Sequence, residues 1–275
     1  MNLLASDRAM AFAFAGTFAA LNALADPILL SLQGLGLFGT LMSLAGVSAV
    51  IWFALFAVLR IACEPEALET RAAEWRRADA FVLVSILALA LFPAPWPATM
   101  AVFTAGAWLI ATARDGRSRR VALVLLALTG PLLWGRVILT LFAPLLLALD
   151  GQIVGALAGT QATGNTVGFV GNGAHFIIGG PCSSVHNISL AILLWSSIVA
   201  LLDLRVDRPL IVTAVVAMAG MFALNIVRLT AIAYFPADFD SLHLGTGATL
   251  FSWAGLLLAG LIVGGGAYAA IDRQR

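Results

Sequence analysis

Long apolar runs, broken at short intervals by arginines, prolines and glycines, dominate this chain from end to end. A bilayer core about 30 Å thick takes about 20 apolar residues in a helix, because hydrocarbon offers backbone polar groups no partner except one another. Eight windows of this kind are read from the pattern: Ala9 to Leu30, Leu35 to Ile61, Ala80 to Ala94, Pro97 to Ala113, Val121 to Leu149, Ser184 to Leu202, Pro209 to Phe235 and Leu244 to Ile271. The third is short. Pro93, Pro95, Trp96 and Pro97 at its end predict a tight interfacial turn, so that windows three and four form a helical hairpin. The stretch from Asp150 to Pro181 is too polar and glycine-rich to cross lipid. Within it Thr166 to Val170 and Ala174 to Ile178 lean toward strand, with a hairpin turn expected at Gly171, Asn172 and Gly173. Leu145 to Leu157 reads as a helix end lying along the interface. The expected fold class is an all-α polytopic membrane protein of about eight transmembrane helices with a small extracytoplasmic β-hairpin. Residues 1–149 hold helices one to five, 150–181 the hairpin segment and 182–275 helices six to eight.

Composition excludes the main alternatives. Of 275 residues, 61% are hydrophobic and 11% charged, far from the balance of a water-soluble globule. The fifteen basic residues are all arginine, which removes Schiff-base and P-loop lysine chemistry. A net charge of +1, with the arginines in small separate clusters, offers no polyanion surface, so nucleic acid is not an expected partner. Two cysteines, Cys63 and Cys182, cannot supply a four-thiolate zinc site. There is no His-Glu-x-x-His, and Asp26 is read as the one acid clearly inside an apolar stretch, so neither metal nor cofactor is expected. No internal repeat of the kind that marks many transporters is visible.

Arginines near helix ends stay on the cytoplasmic side. Arg60, Arg71, Arg76 and Arg77 follow the second window; Arg114, Arg117, Arg119 and Arg120 the fourth; Arg205 and Arg208 the sixth; Arg273 and Arg275 the eighth. Every even-numbered window therefore ends inside, both termini are cytoplasmic, and the connections lacking arginine face outward. Arg8, the apolar run behind it and Ala23, Leu24, Ala25 resemble a signal peptide, although a single arginine is a weak basic region and retention is expected. The localisation that follows is the plasma membrane, multi-pass, with the chemistry on the extracytoplasmic face.

Two arginines lie outside the cytoplasmic clusters, Arg136 and Arg228, and a guanidinium at membrane depth is a functional candidate. From Pro209 to Arg228 is roughly 28 Å of helix at 1.5 Å per residue, so Arg228 reaches the outer interface. Arg136, about fifteen residues into its window, sits nearer mid-membrane. Cys182 begins the sixth window and His243 the eighth, both on the outer side. A thiol, a guanidinium and an imidazole thus converge on one level from three helices. Pro181, Cys182, Ser183 and Ser184 suit a helix start, where the dipole would lower the thiol pKa and free amides would hold an oxyanion. The base stays open between His186, one helical turn from Cys182, and His243, with His175 in the hairpin. Asn225 shares a helix face with Arg228, and Gly247 one turn beyond His243 offers a smooth groove for a neighbouring helix or substrate.

The order Cys182 with Ser183 and Ser184, Asn225 with Arg228, then His243 with Gly247 resembles the exosortase and archaeosortase family of multispanning cysteine transpeptidases. The glycine-rich stretch with Gly164 and Asn165 is also similar, and the resemblance covers Leu145 to the end of the chain. Many members carry Ala-Cys-Ser-Gly where this chain has Pro181, Cys182, Ser183 and Ser184. The resemblance implies Cys182 as nucleophile, His243 as acid and base, and Arg228 as the stabiliser of the oxyanion. It implies as partners exported proteins ending in a short motif, a transmembrane helix and a basic tail, cut at the outer membrane face and passed to an amine or to water. The residues by themselves also admit a transporter or assembly protein for an anionic solute or polysaccharide, with Arg136 and Arg228 binding the anion.

Overall fold

A computed structural model of the chain describes residues 8–64, 75–92, 94–171 and 173–274; Arg71, Pro93, Asn172 and Arg275 lie outside them. Two compact units are formed, one from Met1–Leu133 with Leu193–Arg205 and one from Trp134–Ile192 with Val206–Arg275.

The first unit holds α1 (Arg8–Ala23), α2 (Ala25–Met42), α3 (Ala49–Ala62), α4 (Arg77–Ala90), α5 (Pro95–Thr112) and α6 (Gly116–Thr129). Helix α3 starts at Ser48, whose hydroxyl accepts the Val50 amide, and α6 at Asp115, whose carboxylate accepts the Ser118 amide. The expected hairpin of windows three and four is present as α4 packed on α5. The first two windows divide differently. The chain breaks at Leu24 and again between Met42 and Ala49, so that α2, almost wholly exposed, occupies the position of the expected short outer connection. Gly36, at φ +65°, interrupts it. Helix α1 buries Phe12, Ala13 and Ala19 against α3, α4, α5 and α6. Its Arg8 is no free basic head. It is 2% exposed and grips Asp79, itself 0% exposed, with Nε at 2.8 Å and Nη2 at 3.0 Å. Trp108 Nε1 and the Arg76 amide complete the carboxylate's hydrogen bonds.

The second unit holds α7 (Gly135–Ala158), β1 (Ala162–Thr163), β2 (Thr166–Gly168), β3 (His175–Ile177), the start of α8 (Ser184–Leu201), α9 (Arg208–Tyr234), α10 (Phe239–His243) and α11 (Thr246–Gln274). A π turn at Gly130–Trp134 precedes α7, and the fifth window thus lies in one helical run of 43 residues, Gly116–Ala158. Leu145 to Leu157 is a helix end, the second half of α7, which stops at the left-handed Gly159. The non-helical segment starts at Gly159, close to the expected helix end at Leu157. The hairpin pairs Thr166 with Ile177 and Gly168 with His175, and β1 adds a third strand. Gly151 and Gly155 allow this sheet onto α7, since a Cβ there would stand 2.7 Å from the Gly164 carbonyl and 2.8 Å from Ala162.

Helix α9 begins at Asp207, whose carboxylate accepts the Leu210 amide and pairs with Arg273 at 3.1 Å, tying α9 to the far end of α11. Between these helices the packed positions are mostly small, with Ala217, Gly255, Ala259 and Ala267 buried beside Met221 and Val263, while Val212, Val215, Leu257, Leu261 and Tyr268 point outward and are exposed. Large apolar side chains outside and small ones inside are what a lipid solvent selects, because hydrocarbon does not drive leucines inward. Among the described residues, five helical runs are long and apolar enough to cross a membrane: α2, Gly116–Ala158, α8, α9 and α11.

Candidate active site

Cys182 closes a short 3-10 turn, Gly180–Cys182, directly ahead of α8. Its amide donates to the Gly179 carbonyl at 3.0 Å and the Ser183 amide to Gly180 at 3.1 Å. Ser183, buried and in an extended conformation, then caps α8 by accepting the Val185 amide at 3.1 Å. The Ser184 amide goes to the Asp150 carboxylate at 3.1 Å, and the Ser184 hydroxyl to the same carboxylate at 2.9 Å. The four amides from Cys182 to Val185 are therefore all engaged. The oxyanion site expected from free helix-start amides is not formed, because capping groups satisfy them first.

The Cys182 sulfur lies 3.5 Å from Nδ1 of His243. Both sequence candidates for the base are thereby separated: among the described residues, the imidazole in hydrogen-bond contact with this sulfur is that of His243, and His186 makes no such contact. His243 ends α10 and stacks on Phe239, one turn earlier, with ring centroids 5.1 Å apart and planes 12° apart. Phe239 packs edge-on to Phe169 and Phe176 of the sheet segment, so the hairpin forms the wall behind the imidazole. Arg228 fixes the same segment from α9. Its Nε donates to the Leu242 carbonyl at 3.0 Å and its Nη2 to the His243 carbonyl at 2.7 Å. Its Nη1 makes no hydrogen bond to a described residue. One turn before it, Asn225, 3% exposed, donates to the Cys182 carbonyl at 2.9 Å and to the Ser184 hydroxyl at 3.2 Å, and accepts from Asn187 at 3.0 Å.

Burial pushes the Cys182 thiol up from its ordinary pKa, and the nearby Arg228 charge pulls it part of the way back. The helix-start argument expects the opposite direction. The turn that carries the thiol is shielded, 7% exposed, and the amides that would stabilise a thiolate already have partners. Burial therefore favours the neutral thiol over the thiolate at Cys182.

Other sequence candidates take different places. Arg136 is exposed at the start of α7, where its carbonyl accepts the Thr140 hydroxyl; its charge acts on His186, and it makes no hydrogen bond to Cys182, Arg228 or His243. His175 is exposed on β3. Gly247 does let a neighbouring helix approach, and that helix is α10. A Cβ there would meet Leu242 Cδ2 at 3.0 Å and the Ser241 carbonyl at 3.1 Å, so it admits the α10 segment onto the first turn of α11. Asp150, Asn187, Phe239 and Gly245 are site residues that sequence reasoning missed. Asp150 had a readable signal: like Asp26, it is an acid set in a long apolar run, here Val137 to Leu149 before it and Ile153 to Ala158 after it. Comparison of the chain with family models, with curated proteins and with solved structures finds no match in any of the three.

Proposed function

We propose that the chain is a membrane-embedded cysteine peptidase or transpeptidase of the exosortase and archaeosortase type, crossing the plasma membrane eight times with its thiol on the extracytoplasmic side. The observation that carries this reading is the 3.5 Å contact between Cys182 Sγ and His243 Nδ1. Three separate helical segments supply the thiol, the imidazole and the guanidinium, and the histidine is held by an aromatic stack and a two-pronged arginine. Such over-determination of one imidazole is what a general base needs and what a packing histidine does not.

In the proposed reaction, Nδ1 of His243 takes the thiol proton as the sulfur attacks the scissile carbonyl. The charge formed on the carbonyl oxygen falls to the uncommitted Nη1 edge of Arg228. Collapse of the tetrahedral intermediate breaks the C–N bond, and the imidazolium returns its proton to the leaving amine. The resulting thioester then passes to an amine or to water, whose proton His243 accepts. A buried, neutral thiol suits this order, since the proton leaves only when a carbonyl is in place. Substrates are exported proteins with a C-terminal motif, an apolar helix and a basic tail, the helix lying in lipid beside the enzyme.

Co-expression with an exported reporter bearing such a C-terminal signal from the same proteome tests the proposal. Cleavage by the chain is expected, together with its loss in Cys182→Ala and His243→Ala. A membrane-impermeant maleimide is expected to reach Cys182 from outside and Cys63 only from the cytoplasmic side. Undiminished cleavage in Cys182→Ala would sink the reading, as would an anion-transport activity lost in Arg136→Ala and kept in Cys182→Ala.

A further inference from the structure

We propose that Asp150 is a positioning residue for the Cys182 nucleophile, acting through Ser184 and Asn225 on the backbone of the turn that carries the thiol. The inference rests on the cysteine-peptidase reading and deepens it. Asp150 stands on α7 and is 3% exposed, in an apolar environment where a carboxylate is costly unless it is fully used. Both of its oxygens are taken by one residue, Ser184, through the amide at 3.1 Å and the hydroxyl at 2.9 Å. With its one hydrogen committed to Asp150, the Ser184 oxygen presents a lone pair to Asn225 Nδ2 at 3.2 Å. The second hydrogen of that amide goes to the Cys182 carbonyl at 2.9 Å, and Asn225 Oδ1 is held by Asn187 at 3.0 Å. Donors thus run in one direction and end on the carboxylate, the member of the chain able to accept both bonds from Ser184. The network pins the Cys182 carbonyl and the Ser184 amide, the two peptide groups that follow the attacking residue and flank Ser183.

Capping α8 accounts for the bond from the Ser184 amide but not for the one from the Ser184 hydroxyl. Ser183 already caps the helix by accepting the Val185 amide. Nor is Asp150 loosely placed, since the neighbouring Gly151 is pressed against the Gly164 carbonyl. A reacting sulfur must be held to within a fraction of an ångström, and a shift of about 1 Å costs on the order of a hundredfold in rate.

The test uses the full chain in a Cys63→Ser background, with the reporter carrying a C-terminal signal and an impermeant maleimide as probes. In Asp150→Ala, kcat is expected to fall about 10- to 100-fold with KM within about twofold, while Cys182 alkylation quickens as the turn loosens. Asp150→Asn, which keeps one acceptor oxygen, is expected to recover part of the loss. Asp150→Ala with Ser184→Ala is expected to be no slower than Asp150→Ala alone, because both remove the same link. Unchanged kcat in Asp150→Ala, or losses from the two substitutions that multiply, would overturn the role. Should Asp150→Ala fail to accumulate, Asp150→Asn with Ser184→Ala makes the same comparison. If the wild-type chain leaves the reporter uncut, the peptidase reading falls. The maleimide rates then decide on Asp150 alone: faster labelling in the variant supports its role and equal labelling overturns it.

Discussion

Arg228 does two jobs through one planar group, and they are separable by substitution. Its charge lowers the thiol pKa against the opposing effect of burial, and its Nε and Nη2 hold two successive carbonyls of the histidine segment. Removing a positive charge beside an acid that ionises to an anion raises that acid's pKa. Arg228→Gln is therefore expected to move the pH profile of Cys182 alkylation further upward, so that labelling at any pH below the midpoint slows. Arg228→Lys keeps the charge but lacks the fork, and is expected to hold the alkylation profile near wild type while losing about tenfold or more in turnover. An identical profile in Arg228→Gln, followed with the exposed Cys63 removed, would show that the guanidinium and thiol are not electrostatically coupled. At this scale the sequence marks the guanidinium as unusual through its distance from the other arginines. It is silent on which atoms accept from it, because backbone carbonyls carry no residue identity.

The element that matters most for the site is the shortest α-helix described, α10, a single turn between two long helices. Its place depends on glycine: a Cβ on Gly245 would stand 2.9 Å from the Cα of Ser241, and one on Gly247 would press on Leu242. Backbone cannot yield as a side-chain end can. Gly245→Ala is expected to displace His243 and to lower reporter cleavage about tenfold or more, with helix content unchanged by circular dichroism; full activity would mean that the turn adapts. The spacing of Gly247 from His243 was legible in the sequence. Its partner was not, because the folding back of α10 is a tertiary event. The strand pair of the hairpin was legible from its β-leaning runs and glycines, while β1, two residues long, has too few positions to show a period. Asp150 was passed over for the same reason that it matters: hydropathy averages a single acid away, and its value lies in what it meets across space.

On the scale of the whole molecule, the buried Arg8–Asp79 pair decides how the first unit begins. Asp79→Ala leaves a guanidinium without a carboxylate in a closed interior and is expected to cost about 3–5 kcal/mol, seen as a lower melting temperature of the detergent-solubilised chain. Arg8→Met with Asp79→Ala, which removes both charges, is expected to regain much of that; a double variant as unstable as the single one would show that the pair matters by shape rather than charge. Hydropathy read alone dictated a chain rich in membrane-length apolar helices, because the demand of hydrocarbon for self-satisfied backbone is written locally, residue by residue. It also brought forward Cys182, Arg228 and two rival histidines, His186 and His243, since reactive and charged side chains stand out against an apolar ground. Where the early helices break, that capping groups occupy the helix-start amides, that burial raises the thiol rather than the dipole lowering it, and that a carboxylate from α7 anchors the turn were decided only in three dimensions. Each depends on which groups meet from distant parts of the chain, and desolvation and hydrogen-bond partners are properties of those meetings rather than of any residue by itself.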